Sequence, residues 1–298
     1  MEFEKFRDIL INELKGYYDE GTQFHVNRIL KNNGVALQSL AILEEGENKT
    51  PNIYLDEYYL RYNMGIVTIR QLAEEIVNQR KVIMKEPMMD VKCTWEEVKD
   101  KLFCKVINKE KNKEKLSNLP HMEYLDLAVT ARVLSMMDDD GIASAEVDYS
   151  MLNRLGVTEE ELFAQASRNT EVLFPIKMQS LVDVVMEKMD IPPELKERID
   201  EDNPYPMYVL SNSNGLNGAT TMLYTDALNN IAEEYGVNYF HFMLSSIHEC
   251  MIMLNSDDTE FMKSLVEEAN RDVVGQIDYL SDSVYRYDLE SDMVEIVA

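Results

Sequence analysis

Positive charge is what this sequence has least of. Its 298 residues hold 29 Lys and Arg against 55 Asp and Glu, a formal net charge of -26. The acidic excess runs from end to end, so it describes a whole surface and not a tail. Phosphate contacts need a basic face, so direct nucleic-acid binding is not expected. An anionic membrane surface is a poor partner for the same reason. Glycine is also scarce, at 11 residues, which disfavours folds built on several Gly-rich phosphate-binding turns. The three cysteines, Cys93, Cys104 and Cys250, form no CxxC pair. An odd, sparse set fits reduced thiols in a cytoplasmic protein better than a disulfide framework. No stretch approaches the roughly 18 apolar residues that span a bilayer. The opening Met1-Glu2-Phe3-Glu4-Lys5-Phe6 lacks the basic region and apolar run of a signal peptide.

What remains is an ordinary globular composition, 45% hydrophobic and 28% charged, in a chain long enough for one large or two ordinary domains. Nineteen methionines are many. Gap-filling core positions explain them more simply than an adaptable Met-rich binding face.

The patterning predicts an α+β fold in which helices mix with mostly antiparallel strands and hairpins. Phe3, Phe6, Leu10, Leu14 and Tyr17 recur at helical spacing. Phe24 to Leu30 and Val35 to Leu43 flank Asn33-Gly34, a hairpin signal. Thr68 then caps a helix with Ile69, Leu72, Ala73, Ile76 and Val77 on its apolar face. Residues 1–90 thus read as a helix-hairpin-helix module, and 91–298 as the main α+β domain, unless the two are continuous. In the second part, Thr94/Glu97 and Thr158/Glu161 have capping-box spacing. Strands are expected at Phe103 to Ile107, Leu125 to Met137, Ile142 to Val147, Tyr208 to Leu210, Val237 to Leu244 and Cys250 to Leu254. A terminal hairpin follows from Val284 to Tyr287 and Met293 to Val297. Helices are expected at Leu181 to Met189, Ala219 to Tyr235 with Gly236 as its stop, and Thr259 to Val273. Ile191 to Pro206 reads as a surface excursion.

Candidate chemistry is thin. The loop Ser211 to Gly218, with Asn212, Asn214, Gly215 and Gly218, lies between a strand and a helix, where backbone N–H groups can hold an anion. It has neither a Walker Lys nor GxGxxG, so a plain connecting loop is the simpler reading. Asp138-Asp139-Asp140-Gly141 suggests a calcium loop, but EF-hand spacing puts Met136 and Val147 at ligand positions, which leaves an acidic turn. His248-Glu249 begins like HExxH, but Ile252 stands where the second His belongs. A metal set of His241, His248, Glu249 and Cys250 is therefore outweighed by a turn joining two strands, and no metal or other cofactor is expected. Ser246 beside His248 has no GxSxG elbow. Asn108, Asn112, His121 and Asp126 form a looser set, in which the Asn pair caps a short helix and Asp126 bonds backbone at a strand start.

Four segments taken together resemble a known family. They are Ile107-Asn108 with Asn112, through Pro120-His121 to Asp126-Leu127-Ala128; Ser211-Asn212 with Gly218-Ala219 and Leu223-Tyr224; Ser245 to Glu249; and Leu280 to Tyr285 with Tyr287-Asp288. The set is similar to an uncharacterised domain-of-unknown-function family of cytosolic proteins from anaerobic gut Firmicutes. The resemblance spans most of the chain. It implies a bacterial cytoplasmic protein and supplies no activity or catalytic residues. With no complete catalytic motif, the expected function is a non-enzymatic protein-binding or adaptor module with an acidic surface and a basic protein as partner. The alternatives are a hydrolase-like enzyme using His121, Asp126, His248 and Glu249 with Ser246, or an acidic mimic of nucleic acid.

Overall fold

A computed structural model describes residues 1–47, 50–85, 93–138, 141–189, 206–254 and 256–298. The Ile191 to Pro206 excursion, apart from Pro206 itself, and Asp139-Asp140 lie outside the described residues. The fold is α+β, and the chain divides into two compact units, Met1–Val91 and Lys92–Ala298.

In the first unit the helix Phe3–Leu14 buries Phe6, Leu10 and Leu14. Strands β1 (Gln23–Leu30) and β2 (Ala36–Leu43) pair antiparallel, from Gln23 opposite Leu43 to Leu30 opposite Ala36. The turn between them holds Asn33 at φ 58° and Gly34 at φ 70°, left-handed positions that Asn and Gly tolerate best. A two-residue β3 (Ile53–Tyr54) and the helices Leu55–Asn63 and Ile69–Ile83 follow. Thr68 and Gln71 form a reciprocal capping box. The core joins Phe6, Leu40, Ile42, Leu55, Leu72 and Ile76.

The second unit carries two sheets. In one, β4 (Leu102–Asn108) pairs with β6 (Leu127–Asp138), whose other edge takes β5 (His121–Tyr124) and then β7 (Gly141–Glu146). The free edge of β4 is not left bare. The Cys104 N–H donates to the Thr170 hydroxyl at 2.8 Å, and the Val106 N–H to the Thr220 hydroxyl at 3.3 Å. Thr170 belongs to the helix Glu159–Leu173, opened by the Thr158/Glu161 capping box and packed on β4. The other sheet contains β8 (Ile176–Ser180), β9 (Met207–Asn212), β10 (Tyr239–Met243), β11 (Cys250–Leu254), β12 (Val284–Asp288) and β13 (Met293–Ile296). Its order is β13-β12-β10-β11-β9-β8, antiparallel throughout. The helix Thr259–Asp272 lays Met262 and Val266 on Met243, Met253 and Val284, so several methionines do fill core.

The expected helix Ala219 to Tyr235 is two elements. Gly218–Leu223 is a 3-10 segment, and the α-helix runs only from Thr225 to Tyr235. The cause is the Thr220-Thr221 pair. Thr220 spends its hydroxyl on β4, while Thr221 bonds back to the Gly218 carbonyl at 2.7 Å. Tyr224 at the junction donates to the Phe174 carbonyl at 3.1 Å, so tertiary bonds override the local pattern. Gly236 ends the helix at φ 63°, as its position predicts.

Candidate binding site

Asp126 sits in the β5–β6 turn, next to Leu125, whose φ is 57°. Its carboxylate does not bond backbone as expected. It accepts the Ser281 hydroxyl at 2.7 Å, the Ser283 hydroxyl at 3.2 Å and the Tyr285 phenol at 2.6 Å. Burial, reinforced by the Asp126 bond and charge, pushes the Tyr285 phenol far above its ordinary range. Asn108 works on the same segment. Its side-chain amide donates to the Leu280 carbonyl at 2.9 Å, and its oxygen accepts the Lys111 N–H at 2.7 Å. Asn112 in turn donates to the Asn108 carbonyl at 2.8 Å, so this pair organises the turn ahead of the short helix Lys113–Leu116.

His248 lies on the β10–β11 connection. The Asn217 N–H reaches its Nδ1 at 3.3 Å, and Nε2 is 3.2 Å from Asp278 Oδ1. A backbone N–H only donates, so Nδ1 is the acceptor and the proton is assigned to Nε2, which donates to Asp278. Ser246 accepts the His248 N–H at 3.1 Å, and Glu249 is exposed. Ser211 donates to the His248 carbonyl at 2.8 Å. Gly218 is pressed into this contact: a Cβ there would lie 2.0 Å from Ser211 Oγ and 2.3 Å from the His248 carbonyl oxygen. The Asn212 to Gly218 loop is closed by its own bonds. Asn212 accepts the Asn214 N–H and donates to the Leu216 carbonyl, while the N–H groups of Gly215, Asn217 and Ala219 go to Asn212, His248 and Ile247. Those N–H groups are spent inside the protein, and the element that follows is a six-residue 3-10 segment. The loop is thus a packed connection.

His121 donates from Nδ1 to the Leu119 carbonyl at 2.8 Å and shares no hydrogen bond with Asp126, Ser246, His248 or Glu249. Its neighbour is a different residue. On the sheet, His121 stands opposite Thr130, and Thr130 opposite Lys105. Among the described residues no three His, Cys, Asp or Glu groups gather to hold a metal. His241 is buried on β10, and Cys250 points its thiol at the Ala219 carbonyl.

Lys105 is what motif reading missed. Arg132 is fixed by Ser144, at 2.9 Å to both its hydroxyl and its carbonyl, and by Glu146 at 2.8 Å. Lys115 pairs with the same Glu146 oxygen. The Lys105 carbonyl accepts the Thr130 hydroxyl at 3.2 Å, while its ammonium lies within reach of these charges and makes no hydrogen bond or ion pair among the described residues. Burial, then Arg132 and Lys115, pull its ammonium down to about 7, against the opposing pull of Glu146 and Asp278. The visible signal was a lone Lys between Cys104 and Val106 in an otherwise apolar strand.

A shallow groove of about 450 Å³ opens on the other face of the same sheet. Met122 of β5 and Phe163, Ala164 and Ser167 of the helix line it, and Glu159 and Glu160 stand at its rim. Met122 is 40% exposed. Among the described residues β5 pairs with β6 alone, so the strand edge beside the groove is open. Also among the described residues, no helix is long and apolar enough to cross a membrane.

No curated protein and no solved structure matches the chain. A family model does, over residues 3–289, nearly the whole length and all four motif segments up to Asp288. The chain belongs to that family, DUF5688, a family of unknown function.

Proposed function

We propose that this chain is a non-enzymatic binding module that receives a basic, apolar-anchored segment of a partner protein in the groove between Met122 and Phe163. The observation that carries the reading is the groove's chemistry: an apolar floor, two carboxylates at the rim and an open strand edge alongside. An extended segment can add backbone bonds to β5 while an apolar side chain enters the groove. Lys or Arg residues flanking that anchor meet Glu159 and Glu160, and the -26 net charge draws such a partner in over longer range. Three free cysteines support a reducing, cytoplasmic setting. Against the hydrolase-like alternative stands the engagement of its parts: both His248 ring nitrogens and the Asp126 carboxylate already have protein partners.

The test is fluorescence anisotropy with a labelled Lys-rich peptide carrying one central Leu. Glu159→Lys with Glu160→Lys should weaken binding about tenfold, the scale of two reversed rim contacts. Ala164→Leu fills the groove without changing charge and should weaken it as well. Glu267→Lys with Glu268→Lys makes the same charge change on an exposed part of the Thr259–Asp272 helix, and should leave affinity near wild type. Equal losses from the two charge-reversed pairs would mean that net charge alone attracts the peptide, and the groove reading would fall.

A further inference from the structure

Cations are outnumbered almost two to one in this chain, yet Lys105, Lys115 and Arg132 converge on a single carboxylate, Glu146. Two of the three are accounted for. Arg132 has Ser144 and Glu146, and Lys115 has Glu146. Together they complete a compact ion cluster that holds β6, β7 and the Lys113–Leu116 helix. Lys105 adds its charge to the field on Glu146 but makes no ion pair in the cluster. A half-buried charge is normally paired or bound to a ligand, because an unmatched one is costly to desolvate. On its own face of the strand Phe103 and Ile107 are buried, so a Met or Leu at 105 would pack beside them with no charge to match. Among the described residues the Lys105 ammonium is therefore left without a bonded counter-charge.

We propose that Lys105 anchors a site for a small oxyanion, the carboxylate or phosphate group of a metabolite, with Lys115 and Arg132 supplying the surrounding positive potential. The titration of Lys105 fits this. An arriving anion supplies the missing counter-charge, offsets the repulsion from Arg132 and Lys115, and returns the amine to its protonated form. Binding thus takes up a proton, and it weakens as pH rises through about 7. The other charged groups facing Lys105 are Glu146, Asp278 with its partner His248, and His121 across Thr130. Glu146 and Asp278 oppose the anion, so the site suits a weakly held, exchangeable ligand. It is separate from the groove. His121 and Met122 are successive residues of β5 and project from opposite faces of the sheet. Failure of one site therefore leaves the other untouched.

The experiment is thermal melting of the full chain at pH 6.5, titrated with sodium phosphate or sodium acetate against sodium chloride at matched ionic strength. A site gives a saturable rise above chloride, whereas screening alone gives none. Saturation with phosphate only assigns a phosphate-bearing ligand; saturation with acetate only assigns a carboxylate. Lys105→Met should weaken the saturable component at least about tenfold, the loss of one charge-assisted contact. Glu146→Gln removes the competing carboxylate and should strengthen it severalfold. Acetate is ionised at both pH 6.5 and pH 8.5, so a weaker acetate response at pH 8.5 reports the protein's titration. That dependence should survive His121→Asn. The proposal is overturned if Lys105→Met keeps the full saturable response, or if neither anion saturates in the wild type. Should either variant melt too poorly to read, equilibrium dialysis against radiolabelled phosphate and acetate decides the same question.

Discussion

Replacing Lys105 with Met should make the protein more stable, by an amount that follows from its surroundings. The ammonium is held at about 7 against an ordinary value of 10.5. That gap of roughly 3.5 pH units, at about 1.36 kcal/mol each, sets an upper bound near 5 kcal/mol on the strain of keeping the charge folded. Lys105 is half-buried and partly screened by water, which brings the expected gain to about 2–3 kcal/mol. The pH dependence has a definite sign. Below pH 7 the folded and unfolded chains both hold the proton, and the whole penalty applies. Between about pH 7 and 10.5 the unfolded chain binds more protons than the folded one, so wild-type stability rises relative to the variant. The assay is urea denaturation followed through Trp95, the single tryptophan, which lies in the Lys92–Ala298 unit and reports its unfolding. The Lys105→Met midpoint should exceed wild type at pH 6.5, and the gap should narrow toward pH 9.5. A variant less stable than wild type at pH 6.5 would refute the argument. A gap that did not change with pH would do the same, since it would come from packing and not from an unmatched charge.

Three further outcomes test other parts of the structure. Gly218→Ala should cost about 3 kcal/mol or more in the same urea assay, because its Cβ meets both Ser211 Oγ and the His248 carbonyl; adding Ser211→Ala should not restore stability, since the second clash is with backbone. Leu228→Ala, at a position 1% exposed, should cost about 2–5 kcal/mol, and an unchanged midpoint would mean the Thr225–Tyr235 helix is not core. Thiol titration should find one fast cysteine in the native protein, Cys93, because burial raises the Cys104 thiol and pushes Cys250 up to about 12; denatured, non-reduced protein should yield all three, and a yield of one would reveal a disulfide.

Much of the fold was legible because its boundaries are written in local chemistry. Asn33-Gly34 meets a backbone demand for left-handed conformations, and the Thr68, Thr94 and Thr158 boxes satisfy orphan N–H groups within four residues. Gly236 closes its helix for the same kind of reason. What escaped was set by distant partners. Strand β8, Ile-Lys-Met-Gln-Ser, is only five residues long behind Pro175, and its pairing with β9 fixes it. The 3-10 segment at Gly218–Leu223 exists because Thr220 caps a strand 114 residues away. The candidate site divides the same way. His121, Asp126 and His248 were visible as polar residues, but their roles depend on Leu119, Ser281 to Tyr285, Asn217 and Asp278. Lys105 was visible as one Lys in an apolar strand. Its surplus of charge was not, because strand register and a separate helix bring Arg132 and Lys115 beside it.

The motif segments shared by the resemblance meet at one place, residues 278–285. Asp126 takes the hydroxyls of Ser281, Ser283 and Tyr285, and Asn108 takes the Leu280 carbonyl. His248 takes Asp278, Ser246 bridges Tyr279, and the N–H groups of Leu280 and Ser281 reach Ser245 and Leu244. Ser211 and Gly218 attach to the same knot through the His248 carbonyl. A polar network of this kind, buried at Asn108, Ser281 and Tyr285 and partly exposed at His248 and Asp278, adds little net stability when satisfied, because each bond replaces one to water. Its effect is on uniqueness: with Asp126 or Asn108 missing, the buried Ser281, Tyr285 and Leu280 groups lose their partners, so few alternative arrangements of the two sheets are tolerated. The residues that look catalytic by type, a His, an Asp and several Ser, all bond within this joint between the sheets. Outside that joint lie the Lys105 ammonium, with no bonded counter-charge among the described residues, and the Met122–Phe163 groove beside the open edge of β5.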